Sequence, residues 1–201
     1  MLYSYKIEQA IRAASVLHDG QTRKGSEPYP YITHLVTVAF MLADYGCDEE
    51  TVIAGLLHDT LEDTDYTPEE LEGDFGKRVR TLVEGVTDAL HAERSRFTWE
   101  ERQVRYMKAL DLAPRESLMI SAADKIHNMR SIVEEYSDKP ELFIKHFGTS
   151  LHGLEDKYEK LSALLHGRLD GGILKEFDHV HALFKTFLTT VINHHEKENF
   201  R

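Results

Sequence analysis

His58, Asp59, Glu62 and Asp63 gather an imidazole and three carboxylates at the end of one predicted helix, residues 51–64. Val52 and Leu56, and likewise Ile53, Leu57 and Leu61, fall one turn apart and mark that helix as buried. Burying such polar groups unpaired is costly. A metal ion would meet the cost, with the imidazole and one carboxylate as ligands and Glu62 and Asp63 left to carry protons. A solvated acidic edge accounts for the same residues. The His-Asp pair is weak by itself in a chain with 12 histidines, and a second copy stands at His18-Asp19.

Other stretches carry chemistry of their own. In the apolar segment 118–130, Asp124 and Asn128 share a helical face; Asp124 is either paired with Lys125 or Arg130, or a ligand. The loop 21–31 is basic and aromatic, and its Pro28 and Pro30 exclude helix. Arg23 there can stack on a base and Lys24 can meet a phosphate, unless the loop is a plain solvated turn. His91, Arg94, Arg96, Arg102, Arg105 and Lys108 form a local basic patch, either a phosphate clamp or a solvated face. Thr33 caps a helix striped by Leu35, Val38, Ala39 and Leu42, which puts His34 at a helix mouth.

The elements that must position these residues are helices throughout. A first helix spans 3–17 and stops at Gly20. Asp48 caps the central helix, and Thr67-Pro68-Glu69-Glu70 is a strong helix start. A helix over 77–86, an irregular loop over 87–97 and a helix starting at Pro114 follow. Two C-terminal helices carry narrow apolar seams, Phe143 to Leu165 and Phe177 to Val191. Their histidines, His146, His152, His166, His179, His181, His194 and His195, read mostly as surface residues, and the helices cover the catalytic half or form an oligomer contact. No strand pattern is present, so the fold class is all-α.

Length and composition bound the rest. At 201 residues, 41% hydrophobic and 29% charged, the chain reads as one globular domain, 1–201. No apolar run is long enough to span a membrane and no signal peptide opens the chain. The single Cys47 fits a reducing compartment, so the expected location is cytoplasmic. A net charge of -11 excludes a nucleic-acid polymer as general partner, but not a small anion in a local basic pocket.

Taken together, these stretches resemble the hydrolase domain of the RelA/SpoT alarmone enzymes, a branch of the His-Asp (HD) phosphohydrolase superfamily. The matching pieces are Gly20-Gln21-Thr22-Arg23-Lys24-Gly25, Pro30-Tyr31-Ile32-Thr33-His34, the segment from Gly55 to Thr64, Phe75-Gly76, Gly85-Val86-Thr87, and Ala123 to Arg130. They occur in family order over about residues 5–135, and the chain ends where the long enzymes begin their synthetase domain. The resemblance implies an HD-domain bundle of about 8–10 helices, with C-terminal helices at about 140–195, in a stand-alone small alarmone hydrolase.

It also implies the site. His34, His58, Asp59 and Asp124 hold one divalent cation, Mn²⁺ in this family. Glu62 and Asp63 are catalytic, Arg23 stacks on the base, Lys24 contacts the nucleotide and Asn128 binds the ribose. The implied substrate is ppGpp or pppGpp, cleaved to GDP or GTP plus pyrophosphate, with a homo-oligomer as the possible assembly. Two departures stand out. Leu35 replaces the usual Pro and affects only a helix start. Lys145 and His146 stand where small family members carry Arg and Tyr phosphate contacts. Rival readings are an HD phosphohydrolase of pApp or NADPH, a catalytically silent nucleotide sensor, and a purely structural helical protein.

Overall fold

Local caps set many of the helix starts. In the computed structural model, which describes residues 3–25, 28–147 and 151–199, α1 (Tyr5–Leu17) begins where the Ser4 hydroxyl accepts from the Ile7 N–H. Asp48 accepts from the Thr51 N–H at 3.0 Å and starts α3 (Glu49–Leu56). Reciprocal capping boxes, Thr67 with Glu70 and Thr98 with Glu101, open α5 (Pro68–Phe75) and α7 (Trp99–Leu112). Each such cap contributes about 1 kcal/mol.

α2 (Ile32–Asp44), α6 (Lys77–Glu84) and α8 (Arg115–Tyr136) enclose α3, whose residues from Thr51 to Leu56 are all buried. α2 starts ahead of Thr33, which is helical and bonds back to Pro30 instead of capping. Gly55 lets α2 and α3 approach closely, since a Cβ there would stand 2.4 Å from Leu42 Cδ1. Leu35 is fully buried in this contact, and His34 lies in the first turn of α2.

The helix expected over 51–64 is two helices. α3 ends at Leu56, and α4 (Thr60–Asp63) follows a turn. In a continuous helix the Gly55 carbonyl would accept from the Asp59 N–H. Here it accepts from the His58 ring, Nδ1 to O 2.8 Å, and the Thr60 hydroxyl takes the Leu57 carbonyl at 2.6 Å. The break adds an element to a bundle of eleven α-helices and one 3₁₀ turn (His91–Arg96) among the described residues. No named strand occurs there either, only an isolated bridge between Thr22 and Pro30.

The C-terminal third is three helices: α9 (Pro140–Phe147), α10 (Leu151–Arg168) and α11 (Gly172–Asn199). The seam expected from Phe143 to Leu165 crosses 148–150, outside the described residues. α11 packs along α8, burying Phe177, Phe184 and Val191, and α10 packs against α11, α8 and α7. These helices complete one continuous core with the motif-bearing part. His181 is buried within it, not at the surface. No helix among the described residues is long and apolar enough to cross a membrane.

Candidate active site and metal centre

Two buried ring nitrogens, His34 Nε2 and His58 Nε2, face the carboxylates of the site without a hydrogen bond. His58 Nδ1 donates to the Gly55 carbonyl, a group that only accepts, which leaves its Nε2 facing Asp59 and Asp124. Against the opposing effect of burial, these carboxylates raise the ring's pKa well above the usual histidine value. His34 Nδ1 lies 2.8 Å from His127 Nδ1. Burial, and then His34 itself, push His127 down to about 3, so that ring is neutral and the two rings share one proton in this hydrogen bond.

Carboxylates converge on these nitrogens. Asp59 Oδ2 lies 3.1 Å from His58 Nε2 and 3.7 Å from His34 Nε2. Asp124 Oδ1 lies 3.2 Å from His34 Nε2 and 3.7 Å from His58 Nε2. Ligand atoms of His34, His58 and Asp59 fall within 4.8 Å of one another. Buried nitrogens without a hydrogen bond, facing carboxylate oxygens, fit a borderline divalent cation. The outer groups are set accordingly: Tyr31 donates to Asp59 at 2.6 Å, and Lys125 and Asn128 donate to Asp124. Asp124, left open between an ion pair and a ligand role, thus has its Lys125 partner on one oxygen and faces the imidazoles with the other. Arg130 instead pairs with Glu176.

Glu62 and Asp63 lie on α4, beside this cluster. The Asp88 N–H donates to Glu62 at 2.6 Å. Burial, with Asp59 and Asp88 nearby, pushes Glu62 up to about 8. Burial and Asp59 also raise Asp63, against the pull of Arg94, which pairs with it directly. The basic patch therefore divides. Arg94 and Arg102 turn inward, Arg102 lying 3.5 Å from Asp88, whereas Arg96, Arg105 and Lys108 remain exposed.

The cluster floors a cleft with two chambers. The inner one, about 210 Å³, is lined by His58, Asp59, Glu62, Asp63, Arg94 and Asp124 among others. The outer one, about 550 Å³, is walled by Arg23, Lys24, Tyr136, Phe147, Leu154 and Tyr158. Tyr31, Trp99, Asn128 and Lys157 line both. Arg23 donates to Asn128 at 2.6 Å and lies over the Tyr31 ring, and Lys24 lies over Phe147. His146, expected at the surface, lines the outer chamber and bonds to the Tyr136 hydroxyl; Lys145 is exposed.

Several of these residues gave no sequence signal. Trp99 and Lys157 sit on separate helices with ordinary patterning. His127 stands one residue from Asn128 in a matched motif, which was the only available cue. His18, of the second His-Asp copy, lies behind the site: its Nδ1–H donates to Gln21 Oε1 at 2.7 Å, and Gln21 donates to the Asp63 carbonyl at 2.8 Å. Its ring stacks on Tyr31 at 5.3 Å.

The model for the HD domain matches residues 10–147. The chain belongs to the HD-domain family. Within that family it is 42% identical over 127 residues to a Streptomyces coelicolor GTP pyrophosphokinase, covering 63% of this chain and 15% of that one. It is 39% identical over 133 residues to a guanosine-3′,5′-bis(diphosphate) 3′-pyrophosphohydrolase of Aquifex aeolicus, covering 65% and 18%. The Escherichia coli K12 bifunctional (p)ppGpp synthase/hydrolase SpoT is 39% identical over 138 residues, covering 67% and 19%. The chain thus spans less than a fifth of the length of these curated relatives. Among solved structures it resembles a metazoan ortholog of SpoT that hydrolyzes ppGpp, with TM-score 0.72 and 26% identity, covering 89% of this chain and 94% of that one. A Listeria monocytogenes structure matches with TM-score 0.61 and 26% identity, covering 79% and 98%.

Proposed function

We propose that this protein is a metal-dependent 3′-pyrophosphohydrolase of guanosine alarmones, converting ppGpp or pppGpp and water to GDP or GTP and pyrophosphate. The observation that carries the reading is the pair of buried imidazole nitrogens, without a hydrogen bond, facing two carboxylates at the floor of a two-chambered cleft. His34, His58, Asp59 and Asp124 would hold the cation, Mn²⁺ in this reading. Such an ion supplies an acidified water and polarises a phosphoryl oxygen.

The chain's own residues do the rest. Glu62 and Asp63, on one short helix, move the protons: one leaves the attacking water and one reaches the departing 3′-oxygen. Arg94 holds Asp63 in place for this. Asn128, at the junction of the chambers, bonds the ribose, and Arg23 stacks on the base in the outer chamber with Lys24 beside it. That division matches the substrate, whose reacting diphosphate and base lie on opposite sides of one sugar. One domain, residues 1–201, carries the whole site, because α10 helps to wall a cleft floored by α2, α4 and α8.

The test is ppGpp turnover with added Mn²⁺, with and without chelator, resolving GDP and pyrophosphate. Metal-dependent release of both products supports the reading. Bound metal without turnover of ppGpp would discard the guanosine substrate and leave pApp and NADPH to be assayed on the same site.

A further inference from the structure

The cations of the cleft are not used alike. Arg94 faces Asp63, Glu62 and Asp88; Arg102 faces Asp88; Lys125 faces Asp124. Lys157 is different. It is half-buried on α10, lines both chambers, and has no carboxylate within ion-pair distance among the described residues. Its ammonium lies 5.9 Å from the centroid of the ring of its own neighbour Tyr158. A desolvated ammonium without a counter-ion is costly unless an anion arrives. Burial, and Lys125 across the inner chamber, push Lys157 down to about 8.

The position of Lys157 is built. The Trp99 indole beside it rests on α10 at Gly153, where a Cβ would stand 2.9 Å from two ring carbons. This contact joins α7 to the turn of α10 that carries Lys157. The junction lined by Tyr31, Trp99, Asn128 and Lys157 is where the sugar of a nucleotide spanning both chambers must lie. Among the cations lining the inner chamber, Arg94, Arg102 and Lys125 stand near carboxylates and Lys157 does not, so a phosphate group at the junction meets Lys157 as an unpaired charge.

We propose that Lys157 is a specificity-determining residue that holds the 5′-phosphate group, the one the reaction leaves on the nucleoside; this rests on the alarmone reading above. The contact is a charge-assisted hydrogen bond from Nζ to a phosphate oxygen, and it selects nucleotides phosphorylated on both sides of the ribose. Seating the anion there also supplies the counter-charge that Lys157 lacks.

The experiment compares wild type with Lys157→Met and Lys157→Arg, using inhibition by GDP and by pyrophosphate alongside ppGpp turnover. Lys157→Met is expected to raise KM for ppGpp and Ki for GDP together by roughly tenfold or more, a typical effect for a charged hydrogen bond. Ki for pyrophosphate and kcat should change by less than about twofold, a negligible energy on the same scale. Lys157→Arg, which keeps the charge, should recover most of the GDP affinity. An unchanged Ki for GDP would overturn the proposal, and so would a rise in Ki for pyrophosphate instead, which would place Lys157 on the leaving group. Equal losses in Lys157→Met and Lys157→Arg would also overturn it by showing a packing role. Failure of wild type to hydrolyse ppGpp is a separate result and would remove the underlying reading itself.

Discussion

At the inner end of the cleft three lining cations already stand near carboxylates: Arg94 by Asp63, Arg102 by Asp88, Lys125 by Asp124. At the outer end Arg23 and Lys24 lie over the Tyr31 and Phe147 rings, and Lys157 at the junction has no carboxylate partner among the described residues. In the inner chamber two buried imidazole nitrogens without a hydrogen bond face the carboxylates of Asp59 and Asp124, a donor set that fits a divalent cation. The outer chamber holds Arg23 and Lys24 without a carboxylate partner among the described residues and is walled by aromatic rings, which suits an anionic nucleotide. One end is prepared for a metal and protons, the other for a ligand, and substitutions should separate kcat effects from KM effects accordingly.

The largest effect should come from the inner floor. His58→Ala or Asp124→Ala should remove the bound divalent metal and lower ppGpp turnover roughly a thousandfold or more, as chelation should in wild type. Metal content measured beside activity checks this; a variant that keeps its metal would break the assignment of that residue. Next, Glu62→Gln should lower kcat by roughly 10²–10⁴ while KM stays close to wild type. A change confined to KM would move Glu62 out of the proton-handling pair.

Outer-chamber changes should read the other way. Arg23→Ala should raise KM by roughly tenfold, in line with stacking worth about 1–3 kcal/mol per base, with kcat less affected. A loss confined to kcat would contradict the division of labour. Gln21→Ala probes the support between the chambers. It leaves the His18 Nδ1–H and the Asp63 carbonyl without their partner, and kcat should fall about fivefold for the loss of about 1 kcal/mol. Gln21→Glu, which keeps the acceptor for His18 but loses the donor to Asp63, distinguishes the two bonds by steady-state kinetics.

The smallest effect lies away from the cleft and serves as its control. Arg78 on α6 bonds Asp48 at the cap of α3, and this pairing holds Asp48 down at about 2. Because the folded pKa is depressed, the stabilisation is present above the ordinary carboxylate value and fades as pH falls toward 2. The pair is well exposed, so Arg78→Ala should cost no more than about 1 kcal/mol near neutral pH, and the difference should vanish near pH 2. Thermal melts across that range check it, and turnover should be unchanged.

Much of the architecture was legible in the chain. Capping residues announced the starts of α3 and α5, Pro114 announced that of α8, and helical periodicity marked the buried face of α2, because these signals are local. The break between α3 and α4 was not legible. The apolar spacing runs through it undisturbed, while the cause is a side chain of the same segment taking a backbone carbonyl.

For the site, residue types and family order singled out His34, His58, Asp59, Glu62, Asp63 and Asp124, since an imidazole or carboxylate in an apolar segment is conspicuous in one dimension. What the sequence by itself determined was this inventory and the helices that carry it. Only the tertiary structure decided which nitrogen of each histidine faces the carboxylates, that His18 is a support and not a ligand, that the basic patch divides, and that Lys157 from α10 faces the same cleft. The physical reason is that burial, hydrogen-bond partnership and pairing of charge arise between helices far apart in the chain, where no local pattern records them.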